Sequence, residues 1–225
     1  MKVRVLSRFK PKEIHMLRFI LLFFFIFESG IYSWELSKER EGVRVFTRTV
    51  EGSNFKEFKA VGMHNGTISS IVGVLQDEAQ FCKWFPDCKE FRIIKRLSSL
   101  ERLQYMVIKA PFPVNNRDTI QRSKLNQDPI SKAVTINIEA QPEELAPVDG
   151  VVRIPKSRGF WKIIPSDKGK VEITFQLHSD PGGTLPEWVA NLFVTETPLK
   201  ALIQLSKLAG SEKYKNINLD YISEP

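Results

Sequence analysis

The sequence predicts an α+β fold: a curved antiparallel sheet wrapped around a long C-terminal α-helix, with two short helices after the first hairpin. Three observations carry this. Val171, Ile173, Phe175 and Leu177 alternate with Glu172, Thr174, Gln176 and His178, the two-residue period of a half-buried antiparallel strand, and weaker forms of that period recur through the middle of the chain. Ile68, Ile71, Val72 and Leu75 fall instead at helical spacing. From Pro186 the helical period returns, with Trp188, Leu192, Leu199, Leu202 and Ala209 along one face. A curved sheet needs its concave face filled and a long helix needs a surface to cover, so each satisfies the other.

The first element is not part of that domain. Residues 1–33 hold six Lys/Arg and two acids, and the basic stretch ends at Arg18 before the nine apolar residues Phe19 to Phe27. A spanning helix needs about 20 apolar residues, so this run has the length of a secretory signal h-region. Gly30 and Ser33 offer small residues for cleavage, and Met16 is a second start that would give a compact signal. Export to a periplasm or to the outside is expected, with an uncleaved hydrophobic anchor as the other reading. Of the net charge of +7, this segment supplies +4. The body is nearly balanced, so no nucleic-acid footprint is indicated. With 42% hydrophobic and 26% charged residues in 225, the remainder suits one globular domain over residues 34–210 and a tail over 211–225.

Glu35 to Glu41 is polar and charged and reads as a short opening helix. Val43, Val45 and Thr47 share a strand face, Phe55 to Met63 repeats the period, and Gly52-Ser53-Asn54 between them makes a hairpin. Thr67 caps the first helix, and Ala79 to Phe85 forms a second, stopped by Pro86. Strand-like runs occupy residues 89–98, 100–110, 117–125, 132–140, 151–154, 160–164 and 171–178, with Gln141 to Gly150 as a loop. Asp180-Pro-Gly-Gly183 ends the last strand. Pro198 lacks an N–H and crowds the preceding turn, which predicts a kink in the final helix or a fresh start capped by Thr197. Cys82 and Cys88 are two cysteines six residues apart; either they bridge or they are separately buried thiols. With only His15, His64 and His178 beside them, no metal set is legible, and no cofactor is expected.

Five pieces, in order, resemble the START (steroidogenic acute regulatory protein-related lipid transfer) family: Trp84-Phe-Pro-Asp-Cys-Lys-Glu90, Pro113-Val-Asn-Asn-Arg-Asp118, Gly150-Val-Val-Arg153, Gly159-Phe-Trp-Lys-Ile-Ile-Pro165 and Asp180-Pro-Gly-Gly-Thr-Leu-Pro-Glu-Trp-Val-Ala-Asn191. The resemblance implies a helix-grip fold with a hydrophobic tunnel between sheet and C-terminal helix, occupied by one lipid or other hydrophobe. The wider helix-grip group includes aromatase/cyclases, so fold alone does not settle function.

Candidate lining residues are Met106, Ile108, Ile136, Ile138, Phe160 and Trp161 on the sheet and Val189, Phe193 and Ile203 on the helix; for any one of them simple core packing is the bland alternative. Burying ten methylenes would contribute roughly 8 kcal/mol before association costs. The resemblance implies that Arg153 points inward, pairs with an acid and meets a ligand's polar group; the opposing reading leaves it in solvent. If buried it requires a partner, for which Glu139 is the first candidate, although parity sets Glu139 opposite Ile136 and Ile138. Thr195 and Glu196 are further polar candidates, and Arg117 and Asp118 match an Arg-Asp pair read as structural. By the same resemblance the lid is the Asn126–Ser131 loop, with Ile130 at its tip, and the final helix, able to tilt at Pro198 and Gly182-Gly183.

The expected function is therefore non-catalytic binding and transport or sensing of a hydrophobic molecule by a monomer that makes transient membrane contact. The alternative is an aromatase/cyclase-like enzyme, which would want His178 or Tyr105 facing the pocket as an acid or base.

Overall fold

A computed structural model describes residues 33–167 and 169–225. The expectation of a signal or anchor over residues 1–33 therefore lies, Ser33 apart, outside the described residues. The chain divides into a unit over Met1–Ser33 and one over Trp34–Pro225, and the second of these carries the sheet and helices.

Its strands are β1 (Glu35–Arg40), β2 (Val43–Arg48), β3 (Glu57–Asn65), β4 (Cys88–Arg96), β5 (Glu101–Ile108), β6 (Asn116–Gln127), β7 (Val134–Ala140), β8 (Val151–Arg153), β9 (Lys156–Ser166) and β10 (Lys170–Asp180). Helices α1 (Ile68–Gln76) and α2 (Phe81–Trp84) come after β3, and α3 (Glu187–Ala209) after β10. The sheet order is β1-β2-β3-β10-β9-β7-β6-β5-β4, antiparallel along its length, with β8 added in parallel beside the start of β6. The predicted architecture is the observed one.

Two local expectations are corrected. Glu35–Arg40 is an edge strand, not a helix: it pairs antiparallel with β2 through a tight turn at Glu41 and Gly42, both at positive φ. Nearly every residue of β1 is exposed, so no buried face printed an alternation into its sequence. Secondly, of the two alternatives at Pro198, a kink or a fresh start, the fresh start at Thr197 falls: α3 is one helix that runs through the proline.

Along α3 the burial changes character at that proline. Leu199, Leu202 and Leu205 are fully buried and pack with Val45, Ala60 and Ile173 of the sheet, whereas Trp188 and Leu192 in the first turns stay exposed. Thr67 caps α1 as expected, its hydroxyl accepting from Ser70 N at 3.1 Å. Cys82 and Cys88 are joined by a disulfide that ties α2 to the start of β4.

Residues 211–225 pack against the domain. Tyr214 and Ile222 are buried in the core, and the Tyr214 hydroxyl donates to Asp77 Oδ2 at 2.7 Å. The Glu224 carboxylate accepts from Ile68 N at 3.1 Å and Ser69 N at 2.8 Å, so a charge from the chain's end answers the exposed N–H groups of α1.

Candidate functional site

Between the concave face of the sheet and the first half of α3 lies a cavity of about 230 Å³. The strand period assigns its walls. Once Ile136 and Ile138 of β7 face inward, the register carries Trp161 of β9 and Phe175 of β10 to the same side. Trp161 and Phe175 stack with ring centroids 3.9 Å apart, and Phe193 and Val194 of α3 close over this wall. That side is apolar.

The adjoining part of the sheet is not. Residues Arg117, Thr119, Gln121 and Ser123 are the inward positions of β6, and Arg102, Gln104, Met106 and Ile108 are those of β5. Arg117 is buried at the mouth and donates only to carbonyls: to Pro181 at 3.3 Å, Asn115 at 2.5 Å, Gly182 at 3.3 Å and Thr184 at 3.4 Å. It thereby pins the turn leading into α3. Arg102 is buried at the far end against α1. Its Nε donates to Gln104 Oε1 at 3.0 Å and its two Nη atoms to Gln76 Oε1 at 2.6 Å, Gln76 O at 3.4 Å and Leu75 O at 3.1 Å. Burial, and secondarily the nearby Arg96, pulls this guanidinium down to about 10.

The mouth is framed by Asn54, Phe55 and Lys56 of the β2–β3 connection and by Pro181, Leu185 and Glu187 before and at the start of α3. Phe112, 94% exposed, belongs to the β5–β6 loop beside the same turn, and Trp188 is half exposed on the first turn of α3.

These features have a family. A START domain model matches residues 31–214. The chain belongs to the START domain family. The uncharacterized protein PA1579 of Pseudomonas aeruginosa is 31% identical over 78% of this chain and 86% of its own length. A crystal structure titled as a STAR-related lipid transfer protein from Xanthomonas axonopodis is 35% identical, with a TM-score of 0.73 over 79% of this chain and 99% of that one. The rat phosphatidylcholine transfer protein is 26% identical over 70% of this chain and 75% of its own length.

Within this START domain, Met106, Ile108, Ile136, Ile138, Trp161 and Phe193 come together on the cavity wall. Phe160 does not, because Trp161 faces in and its neighbour must face out. Val189 is buried in α3 away from the cavity, and Ile203 packs with Val43 and Leu202 around a separate small crevice. Thr195 bonds back to Asn191 O at 2.7 Å, and Glu196 pairs with Lys38.

Arg153 is neither in the cavity nor in solvent, and its partner is not Glu139. Glu139 is on the outer face opposite Arg122 and Arg158, as parity with Ile138 requires. The parallel pairing of β8 with β6 instead brings Arg153 to Asp118 on the convex side, with Nε–Oδ1 2.8 Å and Nη2–Oδ2 2.9 Å. Arg153 also donates to the carbonyls of Pro142 (2.7 Å), Leu145 (2.9 Å) and Ala146 (3.2 Å), holding the 141–150 loop over a small outer core of Tyr105, Val107 and Ile120. Burial first, and Asp118 beside it, pushes the Tyr105 phenol up to about 12.

The lid expected at Ile130 is at the wrong end. Arg117 stands at the mouth and Gln127 at the other end of β6, about 33 Å away for ten strand intervals, where it bonds Ser223. Ile130 tips a turn beyond that point, held by Asp128 Oδ1, which accepts from Ile130 N at 3.0 Å and Ser131 N at 2.7 Å. Pro198 lies directly after Thr197, the last cavity residue of α3.

Sequence reasoning missed the polar cavity residues of β5 and β6 and several apolar ones, among them Phe58, Leu75, Phe81, Phe175 and Val194. Arg102 and Gln104 share parity with Met106 and Ile108, a signal that was available. Asp118, Arg122 and Lys124 make the outer positions of β6 polar as well, so its alternation was invisible.

Proposed function

We propose that this START domain binds a lipid or other hydrophobic small molecule in the cavity under α3 and carries or senses it without transforming it. The carrying observation is the cavity itself: an aromatic and aliphatic wall adjoining a polar one, closed by a helix, which is the make-up of a small-molecule site. The names of relatives that share the fold, lipid transfer and phosphatidylcholine transfer proteins, support the ligand class. At about 230 Å³ the cavity is below the ~300–1,000 Å³ of drug-sized sites, so a guest must displace its walls. The first half of α3 is the wall suited to move: it lacks the buried leucines of the second half, and Pro198 removes a backbone N–H at the junction. The groups an enzyme would want do not favour that reading, since Tyr105 faces the convex side and His178 is engaged with Ser53 Oγ at 2.9 Å and Phe55 O at 3.2 Å.

Export is part of the same proposal. The Phe19–Phe27 run motivates it and the Cys82–Cys88 disulfide supports an oxidising compartment. Mass determination of the protein purified from its native host reads the cleavage: a chain beginning near residue 34 supports it, and one that retains the run in a membrane fraction favours the anchor.

The function is tested by mass spectrometry of organic extracts of the purified protein, beside an Ile138→Trp variant that fills the cavity. A hydrophobic compound enriched in the first and lost in the second is expected. Equal recovery from a folded Ile138→Trp protein would place the guest elsewhere and sink the proposal.

A further inference from the structure

Two of the rings that line the cavity, Phe81 and Phe85, stand at α2, a single helical turn of four residues. By itself that turn has little to hold it. An isolated helix needs about 12–15 residues to persist in water. Gln80, before α2, makes no side-chain capping bond, and Pro86 prevents the turn from extending. Phe81, Trp84 and Phe85 share one side of the turn by helical spacing. Phe81 stacks on Phe91 of β4 with ring centroids 3.9 Å apart, and Trp84 meets Trp161 edge-on at 6.3 Å. These rings are held by packing: Trp84 Nε1 is buried and has no hydrogen-bond partner among the described residues.

What ties the turn down is covalent. The disulfide joins Cys82, on α2, to Cys88, the first residue of β4, which pairs with Ile108 on the cavity wall. With a sequence separation of 6, it encloses a short segment that includes Trp84 and Phe85. A cross-link restricts the unfolded chain more strongly the longer the loop it closes, so a bond across so short a segment acts less on the whole domain than on the segment itself. Its effect is local: it fixes where Phe81 and Phe85 sit. The chain has two cysteines in all, so no third thiol competes for either sulfur.

We propose that Cys82–Cys88 is a redox-sensitive site that completes the cavity: the bond holds Phe81 and Phe85 on the wall, and its reduction loosens α2 and weakens binding of the hydrophobic guest. This rests on the lipid-binding proposal and adds a regulation of that same site. The co-reactant is a dithiol. One of its thiolates attacks Cys82 Sγ, the partly exposed partner, forming a mixed disulfide and releasing Cys88 as a thiolate; its second thiolate then displaces Cys82. Two electrons and two protons pass to the chain, Cys82 and Cys88 become thiols, and the dithiol becomes a disulfide. Run in reverse by a disulfide oxidant, the same exchange fixes the wall again. With export as proposed above, the cavity of a newly made chain is completed where that oxidant is present, after the chain has left the reducing side.

The test uses the full chain, oxidised and delipidated, and N-phenyl-1-naphthylamine, a neutral fluorophore that brightens in apolar sites. It is titrated before and after reduction by dithiothreitol, with alkylation and mass spectrometry to count the thiols. Reduction should raise Kd about 3- to 10-fold, the factor that loss of an aromatic contact costs, and reoxidation should restore it. Hydrogen exchange should quicken over residues 80–88 and stay unchanged over β7, β9 and β10, a localisation that a merely stabilising bond would not give. Cys82→Ser/Cys88→Ser should bind as the reduced chain does and no longer respond to dithiothreitol. The comparison of the unaltered chain in its two states does not depend on that variant folding. If the fluorophore binds neither state, the compound carried in organic extracts takes its place, and its retention is compared between the two. A Kd equal within about twofold in both states, or faster exchange across the whole sheet, would overturn the proposal and leave lipid binding standing. If the fluorophore binds neither state and organic extracts are empty, the lipid reading itself falls.

Discussion

Asp118 supplies the sharpest test of the architecture, because it separates what holds the fold from what forms the cavity. The side chain is fully buried on the convex side and receives two hydrogen bonds from Arg153. Removing one partner of a buried ion pair costs about 3–5 kcal/mol, mostly through the charge left behind. In Asp118→Ala the stranded Arg153 keeps three carbonyl acceptors and its side chain is 14% exposed, so the lower half of that range, about 3–4 kcal/mol, applies. For a domain of about 190 residues that corresponds to a fall in Tm of roughly 6–15 °C. Asp118→Asn keeps one acceptor and should lose about half as much. The double variant Asp118→Ala/Arg153→Met should be less unstable than the sum of its parts by about 1–3 kcal/mol, since it no longer buries an unpaired cation. Urea unfolding with unchanged m-values reads the unaltered protein, Asp118→Ala, Asp118→Asn, Arg153→Met and the double variant. Affinity for a hydrophobic ligand, measured below the shifted midpoint, should stay within about twofold, because neither residue faces the cavity. A cost below about 1 kcal/mol, additivity, or loss of ligand binding at full folding would each overturn this account of the pair.

Three further outcomes rest on particular contacts. His64 is buried between Ser206 Oγ at 3.0 Å and Ser70 Oγ at 3.5 Å, and burial lowers its pKa from the ordinary 6.5. The unfolded chain therefore takes up the proton first, so the stability it contributes is complete above about pH 6.5 and is lost as pH falls through the lower folded-state value; thermal melts between pH 8 and 5 should show this slope reduced in His64→Gln. Glu224→Ala removes the carboxylate from Ile68 N and Ser69 N and should cost about 1 kcal/mol in urea unfolding, whereas no loss would mean that Thr67 alone suffices as cap. If the exposed rings of Phe112 and Trp188 make the transient bilayer contact expected from the sequence, Phe112→Ser/Trp188→Ser should slow ligand transfer between vesicles several-fold without changing affinity in solution; an unchanged rate would assign them no such contact.

How much of this was legible beforehand depended on whether an element had one wet and one dry face. The strand at Lys170–Asp180 printed its alternation in full, and Met106, Ile108, Ile136, Ile138 and Trp161 could be named for the cavity wall from period two and the resemblance together. Glu35–Arg40, exposed on both faces, read as a helix. Arg117 to Leu125, polar on both faces through most of its length, concealed Gln121 and Ser123.

A linear string of residues specified the period of each element, its turns and caps, and the order in which strands and helices succeed one another. Only the assembled sheet decided which way each strand faces, that β8 would lie parallel to β6 and give Arg153 to Asp118 and not to Glu139, that the Ile130 turn would end up far from the opening, and that Arg102 would be buried against the carbonyls that end α1. The reason is physical. Periodicity is set by bond geometry within a few residues, whereas facing, pairing and enclosure are set by contacts between segments tens of residues apart, whose energies no local pattern contains.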